Sequence, residues 1–387
     1  MKLAFQLAYR NLVGAGLRTW LNVLVLAFAF ILIIFFNGWL DGWNLQAKTD
    51  TIAWEYGNGH LLHKDYDPYD AFTLQDGHGE FGADLSQNAC PILIRQASIY
   101  PEGRMVAVLL KGIDLNQTIL DLPTQSLKGS QANIPVMMGE GMAASIKLKV
   151  GDEVLLRWRD KNGTFDASNL TLVKIFDTDV PTVDRGQIWM PIDRLWEMTD
   201  LENHATMFVV NEKFKVPQNT TDWTFISQNE LLYNLNQIMK TERVSSSILY
   251  ILLLAIALLA IFDTQVLSVF RRQREIGTYI ALGMTRSQVV GLFTIEGGMY
   301  SLFAVVAGSI IGFPIFVWLA NAGIPMPVDS TKDMGISVSE IIYPVFGFQL
   351  IVGTFFLVVL SATIVSYLPA KKIANMNPVE ALKGKLQ

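Results

Sequence analysis

"VFRRQREIGTYIALGMTRSQVVGLF", Val269–Phe293, lies between two long apolar runs and carries Arg271, Arg272, Arg274 and Arg286 against a single acid, Glu275. Ile276, Tyr279 and Ile280 fall on one face of a helix at i, i+3, i+4 spacing. Gly283 follows about a turn later, and glycine is the residue that takes φ > 0 most cheaply where a helix stops. Thr285-x-x-Gln288 then has the form of a capping box, which satisfies the free amides at the start of a new helix. The stretch therefore predicts a span that ends, a short amphipathic helix within 271–286, and a capped restart. A short helix fixed between two spans suits docking into another protein's groove. The competing reading is a helix that rests on lipid headgroups.

Outward from this stretch, the apolar runs decide the fold class. Hydrophobic residues are 51% of the 387 and charged residues 17%, below the roughly 25% charge of an ordinary soluble domain. The missing charge is concentrated in Thr19–Leu40, Val244–Phe262, Gly297–Val328 and Ile341–Ala370, which contain none. A hydrocarbon core ~30 Å thick is crossed by ~20 apolar helical residues. The expectation is an α-helical integral membrane protein with four spans, at 19–43, 246–270, 287–320 and 341–369, and a short periplasmic loop at 321–340. The first run follows Lys2, Arg10 and Arg18, but it exceeds the ~7–15 residues of a signal-peptide core and no A-x-A pattern follows. It is read as an uncleaved span.

Lys/Arg bias sets the expected orientation. Residues 1–18, read as an amphipathic helix with Leu3 and Leu7 one turn apart, hold three basic residues and no acid. The tail, 370–387, holds Lys371, Lys372, Lys383 and Lys385 against Glu380. Residues 41–247 hold 18 basic and 28 acidic residues, a net of −10. Both termini and the 271–286 helix are thus expected in the cytoplasm. One large mixed α/β domain, 44–245, is expected in the periplasm between spans one and two.

Within that domain "HLLHKDY", "RMVAVLLKGI", "DEVLLRW", "LTLVKIF" and "GQIWMPI" have strand-like content, while "GEGMAASIKL" and "PIDRLWEMT" read as short helices. Cys90, the one cysteine, excludes an intramolecular disulfide and is expected to be inert. Ser227-x-x-Glu230 has the pattern of a second capping box. No Gly or Pro interrupts the chain from there to Phe270, so a stalk helix from about 228 would run ~60 Å, twice the hydrocarbon thickness. The alternative is two helices broken at Ser245–Ser247.

"VFRRQREIGTYIALGMTRSQVVGLFTIEG" and the terminal "LPAKKIANMNPVEALKGK" resemble the signatures of FtsX-like and MacB-like ABC-transporter permeases. "YRNLVGAGLRTWLNVL" is similar to that superfamily's first helix. "GEGMAASIKLKVGDEVLLRW" and "IFDTDVPTVDRGQIWMPID" are similar to its periplasmic core, and "FFNGWLDGWNLQ" with "GNGHLLHKDY" leans toward the LolC/LolE-like lipoprotein-releasing branch. The resemblance implies a mechanotransmission permease. A separate ABC ATPase would dock on Arg271, Arg272, Arg274, Glu275, Ile276, Tyr279, Ile280, Gly283 and Arg286, and its closure would move the periplasmic domains of a homodimer or heterodimer. G-x-x-x-x-G-K-[ST] does not occur, and Gly384-Lys385 lacks the upstream glycine and the hydroxyl residue. ATP and Mg are therefore expected only through the partner, and no catalytic residue is assigned. The expected task is release of a lipoprotein or amphipathic substrate, with a lipoprotein chaperone as a further partner. The alternatives are drug or peptide efflux through a periplasmic adaptor, or regulation of a cell-wall hydrolase.

Asp263 and Glu296 lie at matching depth, ~12–15 Å inside the cytoplasmic boundary at 1.5 Å per residue. Intramembrane carboxylates face a bundle interior or a partner. The two are expected to approach one another, or each to sit near headgroups or pair with an arginine. The superfamily usually has Asn near Asp263. Ala304, Gly308 and Gly312 form a small-xxx-small face for packing within the protomer or in a dimer. His60 and His63 fall on opposite faces of a strand, which disfavours a metal. The acidic outer charge disfavours nucleic acid, whereas membrane lipid is an expected partner.

Overall fold

The structure is a computed structural model that describes residues 17–82, 85, 88–215, 221–326 and 339–372. The helix expected at 1–18, but for its last two residues, lies outside them, as do much of the 321–340 loop and the tail beyond Lys372. The chain divides into two compact units. One comprises 1–43, 239–324 and 341–387, and the other 44–238 with 325–340.

Along the chain, α1 (Leu17–Thr51) continues into a π turn at Ile52–Tyr56. Strands β1 (Gly59–His63), β2 (Gly79–Glu80), β3 (Ala89–Ile99), β4 (Val106–Ile113) and β5 (Pro135–Gly139) lead to helix α2 (Glu140–Ile146). Then come β6 (Glu153–Arg159), β7 (Phe165–Phe176), β8 (Gln187–Pro191), helix α3 (Ile192–Thr199), β9 (His204–Ala205), β10 (Met207–Val210) and β11 (Trp223–Ser227). Helices α4 (Gln228–Leu231), α5 (Tyr233–Arg271), α6 (Gln273–Ala281), α7 (Arg286–Ala322) and α8 (Phe348–Lys371) complete the described elements used below.

The sheet-bearing unit is built on β3. One edge of β3 pairs antiparallel with β4; the other pairs with β10 through Ala89–Ile92 and with β6 through Ala97–Ile99. In the order β11-β1-β10-β3-β4-β8-β5-β7-β6, this last pairing closes six strands on themselves and leaves β10, β1 and β11 as an extension. Side chains alternate across strands, and both faces are used. Leu93, Ile99, Leu110, Val136, Leu156, Leu172 and Ile188 fill one cluster. Ile92, Ile94, Met137 and Trp189, one residue out of phase, fill another. Strands covered on both faces read as continuous apolar runs rather than alternating ones, which is why β3, β5 and β10 carry no period-2 signal.

Among the described residues, four helices are long and apolar enough to cross a membrane: Trp20–Tyr56, Tyr233–Arg271, Arg286–Ala322 and Phe348–Lys371. The structure passes α5 unbroken through Ser245–Ser247; the only interruption near the stalk is the single residue Leu232, and helical hydrogen bonds step across it (Leu232 N–H to Gln228 O, Asn236 N–H to Leu232 O). Ser227 caps α4 by accepting from the Glu230 amide. The fourth helix starts at Phe348, later than the expected 341. Pro344 lacks an amide and disfavours helix in the residue before it. The extended segment lies instead against α1 and α7: Val345 N–H donates to Gly38 O of α1 at 2.8 Å, and Phe346 stacks on Phe316 of α7 at 4.5 Å.

Candidate functional site

The short helix α6 is held by a charge cluster. Arg272, the residue before α6, donates its Nε to Glu275 Oε2 at 2.7 Å and its Nη1 to Glu296 Oε1 and Oε2 at 2.9 and 2.8 Å. Its guanidinium also lies 4.8 Å from the Phe293 ring centroid, a cation–π contact. Glu296 sits on α7 and is 5% exposed. A carboxylate buried in a span is costly unless it is paired and hydrogen-bonded, and Arg272 does both. The two-carboxylate approach is thus replaced by an arginine pair at Glu296. Asp263 is exposed on α5 and makes no ion pair among the described residues.

The apolar stripe of α6 points inward. Ile276 is fully buried with Val269, Val289, Val290, Phe293 and Ala370, and Tyr279, Ile280 and Met284 pack on that cluster. Ile276 therefore fastens α6 to its own spans and is not itself open to a partner, because helical periodicity marks a covered face without saying what covers it, while Tyr279 and Ile280 are half-buried at the edge of the same cluster. The outward face carries Arg274, Glu275, Thr278 and Leu282, the last 79% exposed. Leu282 escaped the sequence reading because it lies off the stripe. Arg271 ends α5 and Arg286 opens α7, both exposed. Gly283 has φ +98°, and Thr285 and Gln288 form the complete reciprocal capping box.

Gly308 and Gly312 face α1, and Ala304 is fully buried among the packed helices. A Cβ on Gly308 would lie 2.9 Å from Phe30 Cδ1 and 3.3 Å from Ala27 O, and one on Gly312 would lie 3.3 Å from Ile31. The face is occupied within the chain. Next to Glu296 on α7, Gly297 brings α7 so close to α8 that any Cβ would overlap Ser366. Gln265, buried at 1%, has neither amide atom hydrogen-bonded among the described residues. Asn22 donates to Thr264, and Arg243 pairs with Asp41 between α1 and α5.

In the sheet-bearing unit, His60 and His63 are both buried; His60 Nε2 lies 3.0 Å from Glu55 O, and burial pushes its pKa down to about 4. Burial raises the Cys90 thiol to about 12, so it carries no thiolate reactivity at neutral pH. Among the described residues no group of three or more His, Cys, Asp or Glu is placed to hold a metal. The arrangement offers an anchored helix with an exposed face.

Residues 247–378 match the family described as FtsX-like permease C-terminal. Over 329 residues the chain is 23% identical to the lipoprotein-releasing system transmembrane protein LolC of Xylella fastidiosa, covering 76% of this chain and 77% of that one. It is 25% identical over 210 residues to the macrolide export ATP-binding/permease protein MacB 2 of Aeromonas hydrophila, covering 50% of this chain and 30% of the relative. A MacB of Escherichia coli is 30% identical over 158 residues, 22% of its length. The chain thus spans less than a third of the MacB-type relatives it matches. Among solved structures, the periplasmic region of MacB from Actinobacillus actinomycetemcomitans aligns with 47% of this chain at 9% identity and a TM-score of 0.31, too low to add to the fold. The chain thus combines an α/β unit with four helices, among the described residues, that are long and apolar enough to cross a membrane; its residues 247–378 match the FtsX-like permease C-terminal family, and it is similar to proteins named MacB and LolC.

Proposed function

We propose that the chain is the permease subunit of a bacterial inner-membrane ABC transporter, with both termini cytoplasmic and a separate ATPase subunit that binds ATP and Mg. The ATPase docks on the outward face of α6, through Arg274, Thr278 and Leu282 with Arg271 and Arg286 beside them. Its motion passes through α5 and α7 to the sheet-bearing domain in the periplasm. The observation that carries this reading is the anchoring of α6: Arg272 ties it to Glu296, and Ile276 is sealed among residues of three spans. A helix fastened this way moves with its spans instead of sliding along the bilayer surface.

Release of a lipoprotein or similar amphipathic substrate is the favoured task. It is supported by the alignment with LolC, which runs through about three quarters of both chains, whereas those with MacB 2 and the E. coli MacB cover 30% and 22% of the relatives. A dimer, of like or unlike chains, gives the exposed Asp263 a place away from lipid.

Leu282→Asp and Arg274→Glu test the docking. Each is expected to abolish co-purification of an ATPase from native membranes, while detergent melting and yield stay at wild-type values. Retention of the ATPase by both variants refutes the assignment. Ile276→Asp is expected to lower the melting temperature itself.

A further inference from the structure

The sheet-bearing unit contains a cavity of about 690 Å³ lined by β1, β3, β4, β8, β10 and β11, the π turn and α4. That volume is within the ~300–1,000 Å³ typical of small-molecule sites. Leu62, Ile92, Ile94, Met207 and Ile226 give it an aliphatic wall.

The lining also carries the charged side chains Glu55, Lys64, Asp67, Lys111 and Glu230, of which Lys111 alone is buried. Lys111 on β4 is 8% exposed, and among the described residues its Nζ makes no hydrogen bond or ion pair. It lies over the face of Trp189, 5.0 Å from the ring centroid. Trp189, on the adjacent strand β8, is 2% exposed, and its Nε1 also lacks a partner among the described residues. Two donors on neighbouring strands, both carried by buried residues, thus line one cavity beside its aliphatic wall. Among the nearby acids, Glu55 acts on Lys111 electrostatically without forming an ion pair. Glu55 takes the Thr182 hydroxyl at 2.5 Å, while Asp67 and Glu230 are exposed on the rim. His60 stays neutral at pH 7, because burial lowers its pKa to about 4.

An ammonium removed from water without a hydrogen-bonded counter-ion costs several kcal/mol, and a cation–π contact offsets only part of that. A compact anion supplies the missing acceptors for both donors. An alkyl chain matches what surrounds them. We propose that this cavity binds an amphipathic anion, its carboxylate or phosphate head on Lys111 and the Trp189 indole N–H and its chain along Leu62, Ile92 and Met207. The site stands apart from the docking of an ATPase and does not depend on it.

The test uses the full chain in phosphatidylcholine nanodiscs and a fatty acid with a terminal diazirine, cross-linked by light and mapped by mass spectrometry. Cross-links are expected in peptides that contain Leu62, Ile92 or Met207. Dodecanoate or dodecyl phosphate displaces them, and whichever acts at lower concentration identifies the head group; dodecanol is expected to need at least tenfold more. Lys111→Met removes the charge at similar length and is expected to cut labelling of these peptides at least tenfold, with labelling of the spans unchanged and no drop in melting temperature. Equal competition by dodecanol, wild-type labelling of Lys111→Met, or labels confined to the spans overturns the proposal. The competition arm needs only the wild-type chain.

Discussion

Arg272 and Glu296, on either side of the α6 turn, are joined by two hydrogen bonds from one guanidinium nitrogen, 2.9 and 2.8 Å long. The arginine side chain is 18% exposed and the carboxylate 6%. Removing one partner of such a pair leaves an uncompensated charge, a loss of about 3–5 kcal/mol in buried cases. Glu296→Leu and Arg272→Met are each expected to lower the detergent melting temperature clearly. The double variant, which buries no charge, is expected to recover much of the loss. A double-mutant cycle on melting measures the coupling, and additive losses would remove the pair as the anchor of α6.

The restart of the chain at Thr285 makes a smaller, local prediction. Its hydroxyl accepts from the Gln288 amide while Gln288 Oε1 accepts from the Thr285 amide at 2.9 Å. Thr285→Ala is expected to cost about 0.5–2 kcal/mol. Thr285→Asp, which keeps an acceptor beside the positive end of the helix dipole, is expected to stay near wild type. Melting of the three proteins checks the order.

These two anchors mark what sequence could and could not tell. The capping box is chemistry between residues three apart, so Thr285 and Gln288 announce it. Gly283 announces the turn before it in the same way, at φ +98°. The Arg272–Glu296 pair joins residues whose separation along the chain carries no periodic signal, and only the fold brings them together. Ile276 shows the same limit: its stripe was legible, the body that covers it was not. In the sheet-bearing unit "RMVAVLLKGI" reads as a strand, yet nothing local says that Lys111 turns inward beside Trp189. The closure of β6 onto β3 is likewise a pairing between distant segments.

Gly308 sits where α7 meets α1, with space for hydrogen alone. Gly308→Leu is expected to push Phe30 and the α1 backbone aside and to cost ~1–3 kcal/mol, the usual cost of overpacking. Gly353, whose added Cβ would meet nothing within 4 Å, provides the control: Gly353→Ala is expected to melt at or above the wild-type temperature, since alanine is the better helix former. Equal losses at both positions would mean that Gly308 is not a packing site.

His60 predicts how the sheet-bearing unit responds to acid. Burial, chiefly, lowers its pKa from 6.5 to about 4 in the folded chain. Between those values the unfolded state binds the proton more readily, so stability rises with pH there. The contribution is whole above about pH 6.5 and disappears as pH falls toward 4; a shift of this size is worth on the order of 3 kcal/mol. Unfolding followed from pH 7 to 4 should therefore be less pH-dependent in His60→Phe than in wild type. Parallel profiles would mean that the histidine titrates alike in both states.

Asp263 supplies the sharpest test of assembly. It lies on an exposed stripe of α5 with Leu252, Ile256 and Leu259. Exposed apolar side chains are ordinary where a span meets lipid. An exposed carboxylate ~12 Å below the boundary is not, because a charged side chain at that depth is stable only against polar protein or water. If two permease chains meet along this stripe, position 263 of each lies near the shared axis. Cys90 is buried and unreactive at neutral pH, so Cys90→Ala gives a clean background for Asp263→Cys. Mild oxidation in native membranes is expected to yield a disulfide-linked dimer at 263, with little at a cysteine placed on the opposite, buried side at Ala257. For unlike chains, the cross-linked product is expected to contain the second permease instead. If neither product forms while the variant is folded and membrane-bound, α5 does not carry the interface.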